Sequence, residues 1–576
     1  MNPETQNCQN CKKDFIIEVD DFGFYEKIKI PPPTFCPHCR FERRATYRNE
    51  RNLFWNKSAK SGERLLALYP LQSGVAVYHE NEWKADDWDG LDYGKDYDFN
   101  RTFFEQFHEL VKIVPKNARS NEINVNVNSD YTANASHLRN CYLIFNSDGV
   151  ENCSYGNAVD GSKECLEMSY SFNCELSYES FWNTNCYGTH FSSHCEKCAD
   201  VWFSKDCIGC VNCFGCVNLR HKNFYIFNQP YSKEDYEKKL SEMRLNSWGG
   251  LQKILQEAHA FWLKNPVKYI QGIQNTNVTG EYVSHSRNIH QGYLIRESEN
   301  LRYCQYQMVP TNKDCMDITV WGGGNQLSYE NTTCGWGMFN VKFCVECWPE
   351  VRDTEYSMFM RNSKDCFGCV GLRNKQYCIF NKQFSKKEFF ELRKKIVDHM
   401  NLMPYTDKKG NVYKYGEFFP IEHSLFGHNT SIAGEHFALS REETIQQGYP
   451  WDESESHEYK TTIQAKELPD TIEDVSDEIL SAIISCTECR RAYRIIKMEL
   501  DFLRKEKIPL PRLCVNCRHK ERVSQRNSFK LFQRQCMCNK KGHFHRMKCD
   551  VEFETSYSPD RPETVYCEKC YQQEVY

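Results

Sequence analysis

The sequence predicts a multidomain, mainly β protein in which zinc ribbons at both ends flank two tandem, cysteine-rich, β-solenoid-like repeats with short helices. Three observations predict this fold class. The chain has 576 residues, more than one hydrophobic core organises. It contains 32 cysteines, and both its ends and its middle are internally duplicated.

The composition indicates a folded chain with reduced thiols. Aromatic residues make up 14% of the sequence, the formal charge is -5 and the mean hydropathy is -0.70. No apolar run approaches the roughly 20 residues of a membrane span, and the N-terminal residues do not resemble a secretory signal. We therefore expect a cytoplasmic protein without membrane contact, whose cysteines serve as metal ligands rather than disulfides.

The first module, residues 1–60, has the spacing of a zinc ribbon. Its four cysteines follow the pattern Cys8-x2-Cys11-x24-Cys36-x2-Cys39. Each CxxC knuckle supplies two thiolates from one tight turn, and two knuckles complete a tetrahedral site. The segments FIIEV and FYEKIKI between them are predicted to be the paired strands of the ribbon.

The same spacing returns near the other end of the chain, in residues 481–534. The pattern there is Cys486-x2-Cys489-x24-Cys514-x2-Cys517. The alignment extends beyond the thiols, because Lys507–Phe532 matches Lys29–Phe54. The sequence therefore predicts one zinc-ribbon module present twice, each with a closed structural Zn²⁺ site.

Each duplicated ribbon carries a basic strip directly after its second knuckle. The strips consist of Arg40, Arg43, Arg44, Arg48 and Arg51 in the first ribbon, and of Arg518, Arg522, Arg526 and Lys530 in the second. Intervals of three and four positions predict one face of a helix. Arginines beside aromatic residues favour contact with nucleic acid or a ribonucleoprotein; a solvated helix face, or ion pairs to an acidic segment of the same chain, is the alternative.

After a connecting segment at 61–120, residues 121–230 are predicted to form the first β-solenoid-like repeat. Its cysteines form two ladders that share one constant period, and most of them follow Asn, Asp or Glu. The ladders consist of Cys153, Cys174, Cys195 and Cys216, and of Cys165, Cys186 and Cys207. A constant period predicts stacked coils in which small thiols fill the interior, with one coil for each step of a ladder.

The second repeat, at 275–384, parallels the first but has irregular cysteine spacing, which predicts coils with insertions. Each repeat ends in an aromatic residue, Ser and Lys before a charged run. Ser232 and Ser385 are therefore predicted N-caps of the helical segments at 231–265 and 385–402.

The dense cysteine run in the first repeat allows three interpretations. It contains Cys207, Cys210, Cys213 and Cys216. Stacked core thiols, a further zinc site and an iron-sulfur cluster all remain open, although the spacing departs from that of ferredoxins. Cys195-x2-Cys198 and Cys344-x2-Cys347 leave the same choice between metal binding and stacking.

Residues 403–480 are predicted to be an extended acidic connector, and residues 535–576 a third zinc ribbon. Cys567-x2-Cys570 is one knuckle of that ribbon. Five thiols compete for four places, with His543 and His545 nearby. The predicted ligands are Cys538, Cys549, Cys567 and Cys570, with Cys536 as the least certain candidate.

The chain resembles large, uncharacterised bacterial multi-zinc-ribbon, cysteine-rich proteins. The resemblance is carried by the ribbons, by SIAGEHFALSREETIQQGYPWDES and by the C-terminal FETSYSPDRPETVYCEKCYQQEVY. The tail is similar to a CxxC-x17-CxxC zinc ribbon, except that no CxxC begins it, so Cys538 would be the substitute ligand. The resemblance implies zinc binding and no activity.

Common catalytic motifs are missing from the sequence, including GxxxxGK[ST], GxSxG and HExxH. The favoured function is a non-enzymatic, zinc-binding protein that binds nucleic acid or a ribonucleoprotein. One alternative is a zinc-stabilised scaffold for a protein partner. Another is a polymer-acting enzyme whose carboxylates line a solenoid face: Asp148, Glu151, Asp160 and Glu164.

Overall fold

The computed structural model of the protein describes residues 2–121, 125–453 and 459–576. The first ribbon is a hairpin followed by two helices. Its elements are β1 (Glu4–Asn7), β2 (Asp14–Ile17), α1 (Val19–Ile28) and α2 (Pro37–Ala45).

One of the predicted ribbon strands is wrong. FYEKIKI lies largely in α1, and the hairpin pairs β1 with β2 in antiparallel register. The buried side chains Asp21, Tyr25 and Ile28 recur at helical intervals, and Glu18 with Asp21 forms a capping box at the start of the helix. The helical period and the cap therefore outweigh the β-branched residues in this segment.

A small mixed unit connects the first ribbon to the repeats. Its elements are β3 (Phe54–Lys57), β4 (Arg64–Ala67), β5 (Val77–Tyr78), α3 (Glu80–Lys84), α4 (Phe103–Ile113) and β6 (Lys116–Asn117). Helix α4 buries Phe103, Phe104 and Phe107 in the largest hydrophobic core of the molecule, which also contains residues of the second repeat.

The first repeat consists of short strands that pair with one another in the order of the sequence. We call it the first stack. Its strands are β7 (Tyr142–Phe145), β8 (Ser154–Asn157), β9 (Leu166–Ser169), β10 (Tyr178–Phe181), β11 (Tyr187–His190), β12 (Ala199–Trp202), β13 (Val211–Phe214), β14 (Asn223–Ile226) and β15 (Gln229–Pro230). From β7 to β14 every pairing is parallel, and each turn is twelve residues long, so that Tyr142 pairs with Ser154.

The repeat unit inside each turn is three residues long. In nearly every triplet one residue has a positive φ, as in Asn140, Asn152 and Asn173, and the next side chain is buried. The central cysteines occupy these buried positions, which explains why so many follow Asn, a residue that tolerates the left-handed conformation. Outside, asparagines form ladders, such as Asn140 Nδ2 to Asn152 Oδ1 at 3.0 Å.

The register corrects the coil length that the cysteine ladders predicted. Cysteines that follow one another in a ladder, such as Cys153 and Cys174, do not stack directly, because vertical neighbours are twelve positions apart. One true column contains Cys174, Cys186, Cys198 and Cys210. The spacing between cysteines of one ladder is a multiple of three residues, because every central cysteine occupies the same position of the three-residue unit.

Two helices, α5 (Lys233–Glu242) and α6 (Trp248–Leu263), lead to the second stack. The short strand β16 (Val267–Lys268) pairs with a strand of the third ribbon. The strands of the second stack are β17 (Gly272–Ile273), β18 (Thr276–Ser284), β19 (Arg287–Arg296), β20 (Glu299–Arg302), β21 (Gln305–Gln307), β22 (Lys313–Gly322), β23 (Tyr329–Gly335), β24 (Lys364–Phe367), β25 (Gln376–Ile379) and β26 (Lys382–Gln383). The parallel register varies: Arg287 pairs with Glu299, Glu299 with Lys313, and Met316 with Tyr329. The turns of the second stack therefore differ in length, as the insertions predicted from the sequence require.

The segment after the second stack is packed rather than extended. It comprises α7 (Lys386–Leu402), β27 (Tyr405–Thr406), β28 (Val412–Tyr413), α8 (Ala433–His436), α9 (Arg441–Gln446) and β29 (Ile463–Gln464). Phe418, Phe419 and Phe426 are buried in the main core, which holds this part of the predicted connector in place. Residues 454–458 of the connector lie outside the described residues. Ser232 and Ser385 cap α5 and α7 as predicted.

The two C-terminal ribbons complete the chain. The second ribbon contains β30 (Ile484–Ser485), β31 (Ala492–Tyr493), α10 (Lys497–Lys505) and α11 (Val515–Ser524). The third contains β32 (Phe532–Gln535), β33 (Glu552–Thr555), β34 (Val565–Tyr566) and α12 (Glu568–Val575). None of the helices in the described residues is both long and apolar enough to cross a bilayer.

The duplicated ribbons and stacks associate crosswise. Helix α2 of the first ribbon packs on β22 and β23 of the second stack, whereas α11 of the second ribbon packs on β9 and β10 of the first stack. Each ribbon therefore binds the repeat that lies farther from it in sequence.

Candidate metal centres and ribbon interfaces

The four cysteines of the first ribbon converge. The sulfur atoms of Cys8, Cys11, Cys36 and Cys39 all lie within 4.8 Å of one another. The backbone N–H of Cys36 donates to Cys8 Sγ at 3.2 Å, and Cys36 is the N-cap of α2. Both the amide and the positive end of the helix favour a thiolate at this position.

The second ribbon repeats this geometry. Cys486, Cys489, Cys514 and Cys517 form the second group, and the Cys514 N–H donates to Cys486 Sγ at 3.2 Å. Burial opposes ionisation of Cys486, but backbone amides of Cys514 and Cys489 lower its pKa to about 7. This centre is more accessible to solvent than its counterpart, because Cys489 is exposed whereas Cys11 is half-buried.

In the third ribbon the four converging sulfurs include Cys536, whereas the sequence favoured Cys538. The group of four sulfurs consists of Cys536, Cys549, Cys567 and Cys570. Cys536 Sγ accepts the Cys567 N–H at 3.2 Å, and Cys567 is the N-cap of α12. Cys536 thus has the position of Cys8 in the first ribbon. Cys538 lies instead in a second group with His543, His545 and Cys570.

Four converging sulfurs are the donor set that zinc prefers in closed structural sites. Among the twelve cysteines of these three groups, Cys489 is exposed, and the others are buried or half-buried within their own ribbons. The residues present therefore fit metal ions with a structural role at all three centres.

The central cysteines form no comparable group in the described ranges. Their thiols donate to carbonyl oxygens of their own stack, as Cys153 Sγ does to Glu151 O at 3.2 Å and Cys207 Sγ to Lys205 O at 3.5 Å. Of the three interpretations left open by the sequence, this geometry matches stacked core thiols.

The arginines of the first ribbon lie in a buried ion-pair cluster. Arg40 Nη2 is 2.8 Å from Asp317, and Arg44 Nη1 is 3.1 Å from the same carboxylate. Arg43 binds Glu330 at 3.0 Å and Glu417 at 2.9 Å. All these side chains are at most 5% exposed.

Electrostatics and burial oppose each other in this cluster. Burial disfavours the charge of Arg40, but Asp317 raises its pKa above the usual value. Burial also raises the pKa of Glu330, and Arg43 offsets part of that shift. Arg48, one turn beyond α2, binds Glu346 at 2.9 Å and is equally buried.

The arginines of the second ribbon have equivalent acidic partners, which for Arg518 and Arg522 include carboxylates of the first stack. Arg518 binds Glu167 at 2.9 Å and Glu499 at 2.7 Å. Arg522 binds Glu167 and, at 3.2 Å, Glu179. Arg526 donates to the Tyr306 hydroxyl at 2.7 Å and lies 3.9 Å from Glu435.

These contacts change the role predicted for the arginine strips. Arg40, Arg43, Arg44, Arg48, Arg518, Arg522 and Arg526 form internal contacts and present little surface to a ligand. The helical spacing of the arginines was predicted, but the helix face that carries them packs against a stack and does not face solvent. The alternative, ion pairs to the acidic connector, holds for two partners, Glu417 and Glu435.

The stack faces that receive the ribbons are themselves duplicated. Three successive turns of the first stack present Tyr155, Glu167 and Glu179, and three turns of the second present Tyr303, Asp317 and Glu330; all six have a positive φ. Each tyrosine hydroxyl donates to an acidic residue of a ribbon helix: Tyr155 to Glu499 at 2.9 Å and Tyr303 to Asp21 at 3.0 Å. The duplicated unit is therefore a ribbon together with its binding face.

The four carboxylates considered for an enzyme are engaged in separate contacts within the protein. Asp148 lies 2.8 Å from His137, Glu151 is 4.0 Å from Lys163, and Glu164 is 3.1 Å from Lys505. Burial raises the pKa of Asp160 to about 6, and its carboxylate accepts the Asp148 N–H.

A basic cleft between the two duplicated ribbons was not predicted. It encloses about 820 Å³. Its basic lining residues are Arg51, Arg491, Lys520, Arg526, Lys530 and Arg561, joined by His38, His436 and His519. Glu435 is the acidic residue of the lining, and Phe437, Phe529 and Phe532 are among the aromatic ones. Only the crosswise association brings these distant segments together.

Comparisons with known proteins do not assign the chain to a family. No protein-family model matches the chain, and no curated protein matches it. A solved structure of a provisionally assigned acetyltransferase from Desulfovibrio desulfuricans G20 is similar over 52% of this chain and 74% of its own, with 8% identity and a TM-score of 0.11. The comparisons therefore do not show the bacterial zinc-ribbon family that the sequence resembles, and the cysteine groups near both ends are the part of that resemblance that the structure supports.

Proposed function

We propose that the protein is a non-enzymatic, zinc-stabilised binder of single-stranded nucleic acid, with the basic cleft between the two ribbons as its binding site. The zinc ions hold the ribbon helices, and the two solenoid-like stacks form the frame. The observation that carries this proposal is the lining of the cleft, in which six lysines and arginines face one carboxylate.

The chemistry of the cleft suits a phosphate backbone with exposed bases. Burial lowers the pKa of Arg51 to about 10, with Glu435 offsetting part of the shift, and Arg51 Nε has no hydrogen-bond partner among the described residues. The Phe532 ring lies beside Lys530 in the lining, and an aromatic ring next to a basic side chain is typical of single-strand binding.

The test uses surface residues, so that the buried ion pairs stay intact. Arg491, Lys520 and Lys530 are exposed in the cleft, and we change all three to Ala. The control changes Lys233, Lys253 and Lys387, which are exposed on helices outside the cleft, to Ala. Binding of zinc-loaded protein to labelled single-stranded RNA and DNA is measured across a salt series.

We expect the cleft variant to bind more weakly and the slope of log affinity against log salt to fall by about 2, because three phosphate contacts are lost. The control should bind as the unaltered protein does. Equal binding by both variants would exclude the cleft, and absence of binding at low salt would leave the protein-partner scaffold as the better hypothesis.

A further inference from the structure

The third ribbon contains more metal-binding side chains than one ion uses. Its tetrad is Cys536, Cys549, Cys567 and Cys570. A second group, whose ligand atoms also lie within 4.8 Å of one another, consists of Cys538, His543, His545 and Cys570. The two groups share Cys570 alone.

The second group lies on an insertion. In the duplicated ribbons the first knuckle is CxxC, whereas in the third ribbon a long segment that includes Cys538, His543 and His545 separates Cys536 from Cys549. The insertion is anchored at its ends, since the Cys549 N–H donates to Cys538 O at 2.9 Å. Its middle is fixed by the Phe544 N–H, which donates to Gln573 Oε1 of α12 at 3.0 Å.

Both histidines have one nitrogen engaged and the other available. His543 Nε2 lies 3.7 Å from Glu574, while its Nδ1 is 3.2 Å from Cys538 Sγ. His545 Nδ1 contacts Met547 O, while its Nε2 is buried without a hydrogen-bond partner among the described residues. Metal-bound histidines typically hold their second nitrogen in this way, against a carboxylate or a backbone carbonyl.

We propose that the third ribbon binds two zinc ions, with Cys570 Sγ as a bridging thiolate. The first ion is held by the tetrad. The second is held by Cys538 Sγ, His543 Nδ1, His545 Nε2 and the shared sulfur. Five thiolates and two divalent ions leave a charge of only about -1 in this buried cluster, and Lys540, Lys541 and Lys548 surround the insertion.

This inference rests on zinc in the tetrads, which is part of the proposed function, but it does not depend on nucleic-acid binding. The full-length chain is purified with zinc, and the metal-to-protein ratio is measured by elemental and native mass spectrometry. We expect four ions: one for each of the three tetrads and one for the second group. A count of three ions that the histidine variant described below does not lower would overturn the proposal. If a tetrad is empty instead, the histidine variant still loses one further ion.

The test variant is His543→Ala with His545→Ala, and its matched control is Arg546→Ala with Lys548→Ala in the same loop. We expect three ions in the variant and four in the control. After loading with Co²⁺, the difference spectrum between control and variant should have the ligand-field bands of a mixed sulfur-nitrogen site. Four ions in both variants would overturn the assignment.

The bridge has its own test. Cys538→Ser should remove one ion in a chelator challenge, whereas Cys570→Ser should weaken both ions of the third ribbon and remove two. If the double histidine variant loses two ions, the single variant His545→Cys, which exchanges one metal ligand for another, must still bind four. A count below four there would overturn the proposal.

Discussion

The two duplicated ribbons offer an internal comparison, because each binds a stack through the same elements at matching positions. Asp21, Arg40 and Arg44 of the first ribbon correspond to Glu499, Arg518 and Arg522 of the second, at a constant offset in sequence. Their partners correspond as well: a tyrosine and two carboxylates on successive turns of a stack. What is repeated is a complementary interface.

The differences lie in the charge and exposure of the two interfaces. Arg43, which binds Glu330 and Glu417, is replaced in the second ribbon by Glu521. Glu330 is fully buried, whereas its counterpart Glu179 is 18% exposed. The first ribbon therefore depends on a more enclosed network, and the second retains the same pairs closer to solvent.

The largest expected effect is at the metal centres. A structural zinc site contributes on the order of 10 kcal/mol to the folding of its module, so Cys36→Ser or Cys514→Ser should unfold the ribbon concerned. Because Cys489 is exposed, we expect a chelator to strip the second ribbon before the first. The release is followed with a chromogenic chelator.

The two cysteine variants assign the phases of that release. Cys514→Ser should lack the fast phase, and Cys36→Ser should retain it. A fast phase that disappears in Cys36→Ser would show that solvent access to the sulfurs does not control the order.

The next effect distinguishes the two carboxylate pairs. Glu330→Gln leaves three buried arginines, Arg40, Arg43 and Arg44, with only Asp317 and Glu417 as carboxylate partners, and we expect a loss of about 3–5 kcal/mol. Glu179→Gln leaves Arg522 paired with Glu167, and the substituted side chain is itself partly exposed, so a loss of about 1 kcal/mol is expected. Thermal unfolding of both variants measures the difference. Equal losses would mean that burial does not set the cost of these ion pairs.

Much of this architecture was predictable from local patterns. The spacing of Cys8, Cys11, Cys36 and Cys39 predicted a converging group, and the duplication predicted a second one. The arginine spacing predicted α2 and α11. These features depend on residues close in sequence, where periodicity and ligand number are sufficient.

The direction in which the arginines point was not predictable in the same way. Arg40 meets Asp317, which is 277 residues away, and nothing in the local sequence separates a buried ion-pair face from a solvated one. A signal did exist. Tyr155, Glu167 and Glu179 recur at the length of one stack turn, and Tyr303, Asp317 and Glu330 follow almost the same interval. Recognising the three-residue phase of the cysteines, and not the period of their ladders, would have exposed these columns.

The third ribbon has no duplicate, so its contact with the second stack tests what lies outside the comparison. Glu281 accepts from Ser556 of that ribbon and from the Gln271 N–H. Burial raises the pKa of Glu281 from 4.5 to about 7, with Ser556 opposing the shift. The folded state then holds a proton that the unfolded state releases at lower pH, so this contribution to stability is lost as the pH rises towards 7.

Glu281→Gln, which mimics the protonated form, should remove that pH dependence. Relative to the variant, the unaltered protein should lose on the order of 2 kcal/mol between pH 5 and pH 8. Comparing thermal midpoints of the two proteins at each pH cancels the acid sensitivity of the zinc centres, which both contain. Parallel profiles would contradict the raised pKa.

The smallest effect compares the two tyrosine contacts. Tyr155→Phe removes the hydroxyl that Glu499 accepts, and Tyr303→Phe removes the one that Asp21 accepts. Asp21 also binds Arg302 and the Glu18 N–H, so it stays well satisfied without the tyrosine. Glu499 retains its pair with Arg518, and burial raises the pKa of this carboxyl.

We therefore expect Tyr155→Phe to cost about 1–2 kcal/mol and Tyr303→Phe about 0.5 kcal/mol, measured by denaturant unfolding of zinc-loaded protein. The ranking is opposite to that of the carboxylate variants, in which the first ribbon is the more sensitive. If Tyr303→Phe proves the more costly here too, the first ribbon is simply the less tolerant module. The order expected from the contacts would instead show that the cost of losing a tyrosine hydroxyl depends on how many other partners its acidic residue keeps.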